Sequence, residues 1–240
     1  MDALLQVEGL SKNFGGFTAL SDVTFSVRPG ERLGLIGPNG SGKTTSINCI
    51  SGTILNHGGD VIFEGRRLNG LAPHRRAVLG VSRSFQIPRP FRSMSIYENL
   101  RVPLEYIGTH KDPHLKVRER AGEILELVGM AHRANEISGR LTQIDMRKLE
   151  LARALAAAPH LLIADEVMAG LSGSEVDEIL AILRQLNQQG VAVVMIEHIM
   201  QAVMSFCERI VCLDAGRKIA DGLPQEVVRN PEVERAYLGE

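Results

Sequence analysis

The 240-residue sequence predicts an α/β protein with an antiparallel β subdomain at its N-terminus and an α-helical subdomain inserted near its middle. Three observations predict it. Short, almost unbroken apolar runs (RLGLI, LLIAD, VAVVMI) alternate with helical patterns, as strands buried on both faces do. A glycine-rich turn follows the first of these runs and opens a helix. From about residue 88 to 158 strand alternation vanishes and helical spacing replaces it.

Taken in order, residues 4–30 alternate in strand fashion, with Leu5, Val7 and Gly9, then Val23, Phe25 and Val27, separated by Gly15, Gly16, Pro29 and Gly30. RLGLIG is a short apolar strand ending in the glycine loop, and a helix runs from about Lys43 to Leu55. DVIFEGRRL makes two short strands about a Glu64-Gly65 turn, and GVSRSF makes another, ending at Gln86. Inside the helical section, Ser95 and Glu98 form a capping-box pattern, and Val117, Ile124, Leu125 and Val128 share one helix face. LTQIDMRKLELARALA, residues 141–156, has a polar start and then Leu149, Ala152 and Leu155 at helical spacing. LLIAD is a buried strand, followed by a helix capped by Ser172 with Glu175 three residues on. VAVVMIEH, a helix from Met200 to Cys207, and the strand RIVCLDAG complete the reading. The apolar strands predict a sheet covered by helices on both faces, in one domain: residues 1–87 and 159–240 form the α/β core and 88–158 the helical subdomain.

A hydrophobic fraction of 44% supports a substantial core. The net charge of −1 lacks the basic excess of a nucleic-acid binder, so no nucleic-acid partner is expected. Arg75, Arg76, Arg83, Arg89 and Arg92 gather locally and read as a solvated face, with a protein or headgroup contact as the alternative. Cys49, Cys207 and Cys212 have apolar neighbours and no metal-ligand spacing, which predicts reduced thiols packed as small hydrophobes. MDALLQVEGL carries no basic leader, and no run reaches the roughly 18 apolar residues of a membrane helix. The expectation is a chain that stays in the cytoplasm and does not itself cross a membrane.

The chemistry concentrates in GPNGSGKT: Gly37, Pro38, Asn39, Gly40, Ser41, Gly42, Lys43 and Thr44, between a strand and a helix. Glycines at 37, 40 and 42 let backbone N–H groups converge on phosphate oxygens, and the helix N-terminus adds positive partial charge. Lys43 would place an ammonium between β- and γ-phosphates, and the Thr44 hydroxyl would ligate Mg²⁺. LLIADE ends in two acids; Asp165 would hold Mg²⁺ through water and Glu166 would act as general base toward the attacking water. Gln86 at the end of its strand would reach Mg²⁺ or that water, and His198 at the end of VVMIEH would hold the γ-phosphate. Standing alone, Gln86 reads as a surface glutamine, His198 as a structural histidine and Phe14 as core packing.

The order of these elements resembles the ATP-binding subunits of ABC transporters along essentially the whole chain, which implies a P-loop NTPase core, ATP and Mg²⁺ as ligands, and ATP hydrolysis. By that resemblance Phe14 is the adenine-stacking aromatic, Gly37–Thr45 (Thr45 included) the Walker A loop, and Gln86 the Q-loop residue. Asp165 and Glu166 are then the Walker B pair, AGLS at 169–172 the D-loop, and His198 the switch histidine. Within the family, KNFGGFTAL, MSIYENL, IEHIMQAVMSFCERIVCLDAGRKIADG and RAYLGE are similar to the ATPases of branched-chain amino acid importers. Lipopolysaccharide-export ATPases end similarly and stand as the alternative. The resemblance implies a second ATPase subunit, identical or related, membrane permeases on the cytoplasmic face, and indirectly a solute-binding protein.

LTQID departs from the family's signature, usually LSGGQ, which caps the γ-phosphate held by the other ATPase of a head-to-tail pair. Thr142 keeps a hydroxyl and Gln143 follows it, but Ile144 replaces a glycine and Asp145 a glutamine. A side chain then intrudes where backbone should approach phosphate, and a carboxylate competes with the anion. Val167 also stands where the family usually has proline. The expectation is an asymmetric pair: the site built on this chain's Walker A loop works, and the one completed by LTQID turns over slowly or only holds ATP.

Overall fold

A computed structural model of the chain describes residues 3–84, 89–108, 112, 114 and 116–238. It begins with a hairpin, β1 (Leu5–Phe14) and β2 (Phe17–Val27), paired antiparallel from Leu5↔Val27 to Phe14↔Phe17. β3 (Arg32–Ile36) runs into the glycine loop and α1 (Lys43–Ser51). α1 ends four residues before the expected Leu55, because Gly52 takes φ 83° and donates its N–H to the Cys49 carbonyl, the left-handed stop that glycine adopts without strain. β4 (Gly58–Phe63) and β5 (Arg66–Arg67) turn about Glu64-Gly65 as expected. They are followed by α2 (Pro73–Leu79), a short helix the sequence reading did not assign, and β6 (Val81–Ser84). Gln86 lies outside the described residues.

The middle section is helical: α3 (Ile96–Pro103), a π-turn over Leu104–Gly108, α4 (Val117–Leu127) and α5 (Gln143–Ala156). The α/β pattern resumes with β7 (Leu161–Asp165), α6 (Gly173–Gln188), β8 (Ala192–Ile196), α7 (Met200–Phe206) and β9 (Arg209–Asp214). β10 (Arg217–Gly222), α8 (Pro224–Val228) and α9 (Pro231–Leu238) close the chain, in a stretch for which the sequence reading assigned no elements.

Two sheets result. One is antiparallel, in the order β2-β1-β4-β5, and the other has the order β10-β9-β3-β8-β7-β6. In the second, β9, β3, β8, β7 and β6 are parallel, so their C-terminal ends share one edge; β10 returns antiparallel. Alternating side chains feed two cores. Leu162, Ala164, Val193 and Met195 join α5, α6 and α7 in one cluster that continues into α3 and α4. Leu33, Leu35, Leu161, Ile163, Val194 and Ile196 join α1 and the antiparallel sheet in the other. The expectation of helices on both faces is therefore corrected on one side. There α1 shares the face with a second sheet, whose own apolar row (Leu5, Val7, Leu10, Val61, Phe63) needs that surface to bury itself.

The arginine cluster is corrected as well. Arg75, Arg89 and Arg92 are exposed, but Arg76 is fully buried. Its guanidinium donates to the carbonyls of Cys49, Ile50 and Leu71, at 2.7–2.8 Å. Those of Cys49 and Ile50 belong to the last turn of α1, where unpaired carbonyls and the negative helix end favour a cation. The three cysteines are free and buried, as expected.

The capping box at Ser95 is present: Glu98 N–H donates to Ser95 Oγ at 3.2 Å and Ser95 N–H to Glu98 Oε2 at 2.7 Å. Ser95→Ala should lower unfolding free energy by about 1 kcal/mol, measured by denaturant titration, with the far-ultraviolet circular dichroism of the native state unchanged.

Candidate nucleotide-binding site

The glycine loop connects β3, in the middle of the parallel sheet, to α1. At Gly37, φ is 146° and an added Cβ would lie 2.1 Å from the Leu213 carbonyl oxygen and 2.6 Å from Ser41 Oγ. At Gly42, φ is 103° and a Cβ would meet Leu20 Cδ2 at 2.7 Å and the Ala19 carbonyl oxygen at 2.8 Å. Only glycine fits such close backbone approach. The turn between β9 and β10 braces the loop from the other side, Gly216 N–H donating to the Ser41 carbonyl at 3.0 Å.

Lys43 closes the loop from within. Its ammonium donates to the carbonyls of Gly37 at 2.7 Å and Pro38 at 2.9 Å and stands 3.5 Å from Ser41 Oγ. Burial lowers the Lys43 pKa, and Glu166, Cys212 and Asp165 pull against that. α1 starts with no side-chain cap and no acid in its first turn, so its own residues do not compete with an anion for its N-terminal amides. Thr44 is exposed and Thr45 half-buried in that first turn.

The parallel sheet brings the other predicted groups to the same edge, because β8 lies beside β3 and β7 beside β8. Glu166 follows β7 with φ 48°, its N–H donating to the Ile196 carbonyl at 2.9 Å. Its Oε1 lies 3.1 Å from Nε2 of His198, which follows β8. Asp165 turns the other way and pairs with Arg83 at 2.6 Å. The two adjacent acids thus face different partners, Asp165 a guanidinium and Glu166 an imidazole, which relieves their mutual repulsion. Phe14 ends β1 half-exposed instead of in the core, with the Lys12 ammonium 4.9 Å from its ring centroid. A buried carboxylate, an exposed hydroxyl at a helix start and an uncapped amide cradle form the oxygen and N–H donor set that a magnesium-bound triphosphate takes.

LTQID forms a different kind of helix start. Thr142 caps α5, accepting from Asp145 N–H at 3.3 Å. Its hydroxyl then donates to Asp145 Oδ2 at 2.7 Å, and Arg133 holds the same oxygen at 2.6 Å. Burial works against Asp145 ionisation, but hydrogen bonds from Thr142 and Arg133 outweigh it and hold the carboxyl below its usual range. Gln143 packs back onto the 169–172 segment, its amide donating to the Ala169 carbonyl at 3.1 Å, while Ile144 is half-buried. Val167 is buried in the helical-side core.

Three residues at this edge were missed from sequence. By sequence Arg83 reads as part of a solvated face, yet it pairs with Asp165. Tyr237 in α9 accepts a hydrogen bond from Gly37 N–H at 2.9 Å, a contact across 200 residues that no local pattern signals. Glu197, 3% exposed, accepts from Met168 N–H at 2.9 Å. A glutamate closing an apolar strand beside the candidate histidine is the available signal.

A glycine loop wrapped on a lysine, with an Asp-Glu pair and a histidine at the ends of adjacent parallel strands, defines a nucleotide-binding protein of the phosphate-loop class. The comparisons make this specific. The family model described as "ABC transporter" matches residues 20–169, and the chain belongs to that family as one of its ATP-hydrolysing subunits. A second model, "Branched-chain amino acid ATP-binding cassette transporter", matches residues 217–240. The high-affinity branched-chain amino acid transport ATP-binding protein LivG of Salmonella typhimurium is 39% identical, covering 99% of this chain and 98% of its own. A solved ATP-binding cassette of an ABC transporter in its ADP conformation superposes with TM-score 0.89 at 31% identity, covering 100% of both chains. A dimeric cassette in a post-hydrolysis state with ADP and Pi superposes with TM-score 0.81 at 25% identity, covering 92% of this chain and 98% of the other.

Glu197 carries a pH dependence. Burial pushes its carboxyl up from the ordinary 4.5 to about 7, with Glu166 adding to the rise and the Met168 and His198 amides opposing it. The folded state therefore holds a proton that the unfolded state releases, and stability falls as pH rises through about 7. Glu197→Gln should remove this loss, so its stability relative to the unsubstituted protein should increase by up to about 3 kcal/mol between pH 4.5 and 8, measured by urea unfolding.

Proposed function

We propose that this chain is the ATPase of an importer for branched-chain amino acids or related small solutes, lying on the cytoplasmic face of the membrane. It pairs there with a second ATPase and with permeases that a solute-binding protein supplies. The observation that carries the reading is the convergence of Lys43, Asp165, Glu166 and His198 at one edge of the parallel sheet, in a chain that matches LivG end to end. That identity favours import over export of a lipid-linked glycan. Among the described residues no helix is long and apolar enough to cross a membrane. Phe91, Val102 and Tyr106 expose apolar surface on the helical section, 88–158, which suits a permease docking there against the core of 1–87 and 159–240.

In this reading Phe14 stacks on adenine, and the backbone N–H groups of the 37–45 loop (Pro38 has none) and the Lys43 ammonium bind the phosphates. Thr44, Asp165 and Gln86 would hold Mg²⁺, which when bound offsets phosphate charge. Glu166 takes the proton of the attacking water, His198 keeps that carboxylate aimed and holds the γ-phosphate, and Lys43, already placed within the loop by the Gly37 and Pro38 carbonyls, turns an N–H to the phosphate.

Thr142, Gln143, Ile144 and Asp145 face the partner's nucleotide in the closed pair. At their helix start the Asp145 carboxylate, paired with Arg133, takes the Thr142 hydroxyl that would otherwise be offered to the anion. The pair is therefore asymmetric. The same observation favours a second reading, in which the LTQID site is a nucleotide-dependent clamp that closes without turnover.

Two outcomes test this. In the complex with its partner ATPase, Glu166→Gln should lower ATP turnover by about a hundredfold or more, while the equivalent substitution in the partner should leave most of it. Equal losses would contradict the asymmetry. Lys43→Ala should abolish nucleotide binding and leucine uptake in reconstituted vesicles; retained uptake would remove the proposed function.

A further inference from the structure

The pair between Arg83 and Asp165 sits where the Walker B strand ends, and no role assigned above uses the arginine. Arg83 lies on β6, directly beside β7, in register with Ile163. Its Nη2 meets Asp165 Oδ2 at 2.6 Å, with side chains 10% and 6% exposed. Its Nη1 donates to Asn48 Oδ1 at 2.7 Å and lies 3.3 Å from Ser51 Oγ, both on α1. The guanidinium is thus fixed on both arms, toward the Walker B carboxylate and toward the helix that carries Lys43 and Thr44.

A carboxylate this enclosed is costly without a positive charge beside it. Arg83 supplies that charge from the chain itself. Asp165 is also the carboxylate assigned above to magnesium, and the present inference rests on that assignment. A guanidinium bonded to one oxygen lowers the negative potential the carboxylate offers a divalent cation, and the two cations repel across it.

We infer that Arg83 is the resident counter-cation of Asp165: it neutralises the carboxylate and competes with the divalent cation for it, so that it sets the metal concentration at which the site fills. Arg83 is a positioning residue in this role, since it acts on the metal through Asp165. The competing possibility, that Arg83 aims Asp165 at the metal and strengthens its binding, predicts the opposite sign.

The test is Mn²⁺ affinity of the full-length chain with equimolar ADP, read from loss of the free-Mn²⁺ electron paramagnetic resonance signal. Arg83→Gln should bind Mn²⁺ about tenfold more tightly than the unsubstituted protein. Arg83→Lys, which keeps the charge but loses the two-armed grip, should gain about two- to threefold. Without metal, Arg83→Gln should melt at a lower temperature and recover more of the loss on adding Mn²⁺. Arg209→Gln breaks a comparable pair with Asp221, at 2.6 Å and away from the loop, and should leave Mn²⁺ affinity unchanged. Unchanged or weaker Mn²⁺ binding in folded Arg83→Gln overturns the inference. If that variant does not fold, an unchanged affinity in Arg83→Lys overturns it equally. An unsubstituted protein whose Mn²⁺ binding does not depend on ADP would instead remove the magnesium assignment itself.

Discussion

The Lys43 ammonium, held by the carbonyls of its own loop, is the contact on which the site depends. Turning the carbonyls of Gly37 and Pro38 inward onto Nζ fixes the sense in which the loop coils ahead of α1. That coil needs left-handed or crowded backbone at Gly37 and Gly42, and so needs two residues without Cβ. Burial favours loss of the lysine charge, and the nearby carboxylates of Glu166 and Asp165 help to retain it. The loop is therefore tuned by groups at the ends of another strand. The acids proposed for the chemistry thus also steady the ammonium proposed to bind phosphate.

Sheet topology makes that possible. β3 sits between β9 and β8, and β7 lies one strand further, so the loop after β3, the histidine after β8 and the acids after β7 emerge side by side. Parallel strands require crossovers, and α6 and α7 supply them while burying the helical-side core. On the opposite face the antiparallel sheet presses β2 against the loop, where Ala19 and Leu20 pack on Gly42. α9 then returns from the far end of the chain to place Tyr237 on Gly37 N–H. Elements remote in sequence thus constrain the loop from three sides.

The sequence exposed what depends on local pattern. The glycine loop, the buried strands, the Ser95 box and the acids ending LLIAD each have a fixed chemical reason at fixed spacing. It concealed what depends on three-dimensional neighbours. Five arginines between 75 and 92 look alike as letters, yet Arg76 plugs the end of α1 and Arg83 meets Asp165, because α2 turns one side chain inward onto α1 and β6 pairs directly with β7. Phe14 reads as core on hydrophobicity alone, but the hairpin it ends extends past the core and leaves it half-exposed. The sheet-on-sheet face was misjudged for a similar reason: periodicity identifies a buried strand without saying whether a helix or a strand covers it.

At LTQID, helix stability draws on the groups that the proposed function would offer to a partner's nucleotide. The N-terminus of any helix offers unpaired amides, and the chain can satisfy them itself or leave them for an anion. α1 leaves them open, with glycine at its cap and no acid in its first turn. α5 caps one of its own, the Asp145 N–H, with the Thr142 hydroxyl, which in turn donates to the Asp145 carboxylate that Arg133 holds. The second arrangement stabilises the helix in the isolated chain, typically by about 1 kcal/mol, through groups a phosphate would otherwise use. Replacing Ile144 alone by glycine would restore space but not charge, because Asp145 would still occupy the donors. Relief at that site needs the carboxylate removed as well, and its loss would also leave Arg133, among the described residues, with Glu136 as its acidic partner.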